Sequence, residues 1–177
     1  MEQPQNAAVR KRVCRVLAVC WMAVIFAFSA RNADLSTQDS MSIGILFGRL
    51  VVPSFAQMDE QMQVSFADLV DHPIRKLAHA TEYAVLGFLL AGGYADRHKK
   101  RLLQAGVPMV LGSLYAVSDE LHQLFVPGRS CELTDMLIDS GGVAAGTLAG
   151  LFLFVYWKGR RKRKQPGRRQ GIKNGGR

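Results

Sequence analysis

Four windows of about 20 mostly apolar residues organise this chain: Val13 to Ala30, Leu77 to Ala95, Leu102 to Phe125 and Leu133 to Trp157. A helix that crosses a hydrocarbon core of about 30 Å needs roughly 20 such residues. The windows therefore predict an all-α fold, an integral membrane bundle of four transmembrane helices. A soluble bundle fits less well, because the charges collect between the windows rather than along one face of each. A cleaved leader is the rival for the first window, since Arg10, Lys11 and Arg12 precede it. A cut after Ala30 would place bulky Phe28 where a small residue belongs, so the window is expected to be a retained span.

Charge orients the spans. Of the 23 Lys and Arg residues most fall in the run Arg10 to Arg15, in the 96–101 turn and in the tail from Lys158 onward. The others, Arg31, Arg49, Arg75, Lys76 and Arg129, lie on the side that four alternating crossings place opposite. The excess of basic residues marks the cytoplasmic side, so both termini are expected there. Residues 1–12 then form a basic cytoplasmic N-tail, 13–157 the membrane domain, and 158–177 a basic cytoplasmic tail expected to be disordered. The tail has no aromatic platform for stacking bases, and a basic run beside a span suits anionic lipid headgroups better than nucleic acid.

About 45 residues separate the first two windows, too few for a core of their own. Ile43, Leu46, Phe47, Leu50 and Val51 recur at helical spacing, as do Met62, Phe66, Leu69 and Val70, with Pro53 between the runs. Two short amphipathic helices are expected, lying at the outer interface; packing against the bundle accounts for them equally well. The three cysteines make no disulfide framework. Cys14 and Cys20 sit in the first window, and Cys131 stands alone in an outer turn.

Helices rise about 1.5 Å per residue, which converts position into depth. Entering from outside near Lys76, His79 lies about 5 Å deep and Glu82 and Tyr83 about 10 Å deep. The third window returns Asp119 and Glu120 to about 10 Å and Gln123 to about 5 Å, and the fourth carries Asp135 and Asp139 to similar levels. At about 100° per residue, Asp135, Asp139, Gly142, Gly146 and Gly150 share one stripe, which aims the acids into the bundle behind a small-xxx-small contact. Charged groups in a bilayer cost a few kcal/mol each unless paired, so these residues are candidates for function. A structural network, with Lys76 and Arg129 neutralising Glu82, Asp119 and Asp135, satisfies them equally.

Three stretches carry a family resemblance: IFAFSA followed by Ser36 and Ser40, then KLAHATEYAVLG, then SDELHQLFVPGRSCELTDMLIDSGGVAAG. The chain resembles the VanZ-like membrane proteins over most of residues 20 to 150. The resemblance implies a small multi-pass protein of the bacterial cytoplasmic membrane, in a family whose founding member is associated with resistance to the glycopeptide teicoplanin. The family often carries Asn where this chain has Asp139. Some relatives carry a phosphotransbutyrylase label, but nothing here resembles a soluble acyl-CoA or phosphate site.

On this reading Glu82, Asp119 and Glu120 are the candidate catalytic carboxyls, working by acid/base chemistry. Lys76, His79, Tyr83, Gln123, Arg129, Asp135 and Asp139 are the candidate binding residues. The expected partners are membrane lipids and an anionic amphiphile of the cell envelope, lipid-linked or a lipoglycopeptide. No cofactor is expected. His79, Glu82 and Asp119 could hold a metal from two helices, but their spacing is not diagnostic and no metal site is assigned. The alternatives are a module that binds the headgroup without changing it, or the structural network. A transporter is disfavoured, because no internal repeat is visible.

Overall fold

The computed structural model describes residues 4–96 and 100–157; the tail from Lys158, residues 97–99 of the basic turn, and the side chains of Tyr156 and Trp157 lie outside the described residues. The described chain is helical throughout: α1 (Pro4–Ser29), α2 (Ala33–Val51), α3 (Glu60–Tyr94), α4 (Arg101–Gln123) and α5 (Leu133–Leu151). A 3₁₀ turn at Phe55–Gln57 precedes α3, and a π-helical turn at Phe152–Trp157 follows α5. Two of these segments, Gln5–Ser29 and Leu133–Val155, are long and apolar enough to cross a membrane.

The helix faces are those of a bundle bathed in an apolar medium. In α1 the buried stripe is Cys14, Ala18, Ile25 and Ser29, while Val16, Val19, Phe26 and Phe28 point outward. In α4 nearly every fourth residue is buried, from Gln104 through Gly112 and Ala116 to Gln123, and Leu102, Val110 and Leu114 are exposed. Water would penalise such outward leucines and valines.

Helix α3 is the spine. At about 1.5 Å per residue its 35 residues extend about 52 Å, well beyond a hydrocarbon core. Asp59 starts it by accepting the Met62 amide at 2.7 Å. Helix α1 runs antiparallel to its C-terminal half, where Trp21 Nε1 donates to the Glu82 carbonyl at 2.9 Å and Arg15 Nε to the Gly93 carbonyl at 3.2 Å. Helix α2 runs antiparallel to its N-terminal half, with Gly44 against Ala67 and Ser40 bonded to Asp71. The α2 hairpin therefore extends the bundle lengthwise.

Two expectations are corrected here. The run Met62 to Val70 is not a separate short helix, because α3 continues through Pro73 into the second apolar window. Proline removes one bond, to the Leu69 carbonyl, but α2 packs on Ala67 and Asp71 before it, and α5 holds Lys76 and Ala80 after it through Asp135 and Gly142. Packing against the bundle is not the role of the apolar run in α2 either. Ile43, Leu46, Phe47, Leu50 and Val51 are all exposed, and the face on α3 is the small one, Ser40, Gly44 and Gly48.

The tightest packing lies between α3 and α5, which run parallel. A Cβ built on Gly142 would sit 2.3 Å from the Ala80 carbonyl oxygen, and one on Gly87 would sit 2.2 Å from that of Val143. Small residues on both helices let the backbones touch, which is how apolar helices associate where no hydrophobic drive separates them from lipid. Tyr83, Leu86, Ala116, Val143, Ala18 and Ile25 complete the core around this seam.

Candidate functional site

The turn between α4 and α5 sets one end of the site. Arg129 donates its amide to the Val126 carbonyl at 3.1 Å, with Pro127 and Gly128 between, and Gly128 has φ +76°. Proline second and a positive-φ residue third define a type II turn, and glycine takes that third position without strain. The Ala33 amide donates to the Pro127 carbonyl at 3.3 Å, which ties this turn to the start of α2. The Arg129 side chain is thereby carried over the junction of α1, α2 and α3, and its Nε donates to the Arg31 carbonyl at 3.3 Å.

Beneath the turn lies a buried polar layer. Tyr83, Asp119, Glu120, Gln123 and Asp139 are each at most 4% exposed. Asp119 is its centre, within electrostatic range of Glu82, Tyr83, Tyr115, Glu120 and Asp139, and of His79 and Arg129 with the opposite sign. Glu120 has a distinct task. It accepts the Glu132 amide at 3.0 Å, so a carboxylate from α4 serves the first residue of α5, where the helix dipole is positive and the residue's own side chain makes no cap.

A cavity of about 410 Å³ opens beside this layer, at the level where α2 leaves α1. Ser29 and Arg31 line it from the end of α1, Ser36, Asp39 and Ser40 from α2, and Arg75, His79 and Glu82 from α3; Arg129 lies across from them. Phe28, Ile43, Ile74 and Ala78 make its apolar wall. Asp71 stands behind, bonded to Ser40 and paired with Arg75 at 2.8 Å, so it positions two lining residues at once.

The ten residues singled out by sequence thus divide into three groups. His79, Glu82 and Arg129 meet in the cavity wall. Tyr83, Asp119, Glu120, Gln123 and Asp139 form the buried layer. Lys76 and Asp135 form a half-buried ion pair at 2.6 Å, with Glu132 at 3.8 Å from the lysine. Ser29, Arg31, Asp39 and Arg75 were not singled out as site residues. The signal available for Arg31 and Arg75 was their position among the few outer cations, which had been used only to orient the spans. Among the described residues, no three His, Cys, Asp or Glu side chains converge closely enough to hold a metal ion.

Two cations near the α4–α5 turn have altered proton affinities. Burial lowers that of Arg129, with Arg75 adding to the effect and Asp119, Glu120 and Glu82 opposing it. For Lys76 the hydrogen bond it donates to Asp135 raises the pKa above the usual 10.5, against the opposing effect of desolvation. A pKa raised by folding gives stability that is fully present below the unfolded value and is lost as pH climbs through the folded one. The melting temperature of the purified protein should therefore fall as pH rises above about 10.5, and Lys76→Met should remove that component. Identical pH profiles for the two proteins would show that the pair contributes nothing.

Among curated proteins and among solved structures, none matches this chain. The family model described as VanZ/LLP1 matches residues 15–163, which takes in α1 through α5, the cavity and the buried layer. The resemblance read from IFAFSA, KLAHATEYAVLG and the stretch around Pro127–Arg129 is borne out over most of the length: the chain belongs to the VanZ/LLP1 family.

Proposed function

We propose that this protein is a four-span component of the bacterial cytoplasmic membrane, with both termini in the cytoplasm, and that it acts by acid/base chemistry on an anionic amphiphile of the cell envelope. Helices α1, α4 and α5 and the C-terminal half of α3 are the spans. The single observation that carries the reading is the cavity where Glu82, His79 and Arg129 meet, lined by polar and apolar side chains together. Such a mixed lining suits a headgroup with its chain still in the outer leaflet. Glu82 is the carboxyl that reaches the substrate, with Asp119 behind it in the buried layer; Arg129 holds the anionic head. Family membership extends the reading to teicoplanin resistance, since a lipoglycopeptide is itself an amphiphile of the envelope.

Capture without conversion is the second reading. It is favoured by the position of Glu120, which is bonded to the α5 backbone, leaving Glu82 as the one of the three candidate carboxyls that lines the cavity. Mass spectrometry of membrane-lipid and cell-wall-precursor extracts separates the two. Cells making wild type and cells making Glu82→Gln at matched levels should differ in at least one species, which would name the substrate. Matching extracts would leave capture standing and dismiss the chemistry.

A further inference from the structure

The geometry points to a phosphate-bearing amphiphile as the occupant of the cavity, anchored by Arg129, the cavity-lining guanidinium that makes no ion pair among the described residues. This rests on the reading of the cavity as a substrate site. Three guanidinium groups line it, and two already have acidic partners: Arg31 pairs with Asp39 and Arg75 with Asp71 at 2.8 Å. Arg129 makes no ion pair among the described residues, and its one hydrogen bond uses Nε. Both terminal nitrogens are therefore available as a fork toward the cavity it lines.

The choice of phosphate over carboxylate follows from the donors beyond that fork. A carboxylate offers two oxygens, which a guanidinium fork occupies. Ser29 and His79 also line the cavity, and Ser29 Oγ, on a residue 2% exposed, and His79 Nδ1 are both buried without a hydrogen-bond partner. A phosphate monoester or diester supplies further oxygens out of the plane of the fork, where a hydroxyl and a ring N–H can reach them. The apolar wall of Phe28, Ile43 and Ile74 gives the attached chain a path. A volume of about 410 Å³ suits a headgroup with the first carbons of its chain.

The test uses purified full-length protein in detergent micelles, with binding read by native mass spectrometry and by ligand-dependent melting. The probes are dioleoyl phosphatidic acid, oleate and inorganic phosphate. Wild type should bind phosphatidic acid at least about tenfold more tightly than oleate or inorganic phosphate, and Arg129→Ala should weaken phosphatidic acid by at least about tenfold. Arg49→Ala, at an exposed position on α2, should leave binding unchanged. Should Arg129→Ala fold poorly, Ser29→Ala provides the second variant: it should weaken phosphatidic acid several-fold, by about one neutral hydrogen bond, and leave oleate as it was. Unchanged phosphatidic acid binding in both variants, or oleate bound as tightly, overturns the proposal. Inorganic phosphate bound as tightly would show a free-anion site and overturns the amphiphile. Phosphatidic acid bound by Glu82→Gln as by wild type, with cell extracts that match, would keep this inference while removing the acid/base reading beneath it.

Discussion

Gly146→Ala is expected to separate α3 from α5 and to leave little folded protein, whereas Gly141→Ala on the same helix should leave the melting temperature equal or slightly higher. A Cβ at position 146 would lie 1.8 Å from the carbonyl oxygen of Ala84. That atom belongs to a helical backbone and cannot rotate away, so one methyl group must push two helices apart. The neighbouring contacts at Gly142 and Gly87 are nearly as short and would open with it. Overpacking of a core costs roughly 1–3 kcal/mol when side chains can give way; here only backbone can, and the cost should exceed about 3 kcal/mol. At Gly141 an added Cβ meets nothing within 4 Å, and alanine is the better helix former by about 0.8–1 kcal/mol. Size-exclusion profiles and thermal melts in detergent report both. A monodisperse Gly146→Ala melting beside wild type would show that the two helices are not held backbone to backbone.

On the proposed acid/base reading, Glu82→Gln is expected to cut turnover by about 10²- to 10⁴-fold with little effect on the melting temperature, the loss usual for a proton-transferring side chain. Glutamine keeps the shape and the hydrogen-bonding reach and removes the titrating proton. Fold loss is not expected, because the position is partly exposed and it is the Glu82 backbone carbonyl, not the side chain, that accepts from Trp21. Glu120→Ala should do the reverse. It removes a buried carboxylate that accepts the Glu132 amide at the start of α5 and should cost about 2 kcal/mol, seen as a lower melting temperature with activity per folded molecule retained. Activity that follows Glu120 rather than Glu82 would move the chemistry from the cavity wall into the buried layer.

The polar layer was readable because helical period and depth are properties of a single sequence. Asp139, Gly142, Gly146 and Gly150 fall on one stripe by arithmetic alone, and all four are buried, the glycines against α3. The cavity was less readable. Arg31 and Arg75 are 44 residues apart, and nothing local says that α2 folds back to bring their surroundings together. Of the two readings open for α2, packing of its large apolar residues against the bundle fails for a different reason. Large apolar side chains mark the buried side of a helix in water, but where the surroundings are apolar the close contact goes to Ser40, Gly44 and Gly48, and the large residues turn outward. Pro73 does not interrupt α3, because one lost bond is outweighed when both flanking turns are packed.

The continuity of α3 has a consequence for how this architecture tolerates change in length. Because one uninterrupted helix carries both the hairpin half and the half beside α5, the angular phase of the two is locked. A single residue inserted between Asp71 and Lys76 would turn everything upstream by about 100° relative to the rest, swinging Ala67 and Asp71 away from Gly44 and Ser40. The link between Val52 and Asp59 carries no such phase, so chain length can drift there while the spacing from Asp71 through Glu82 is held.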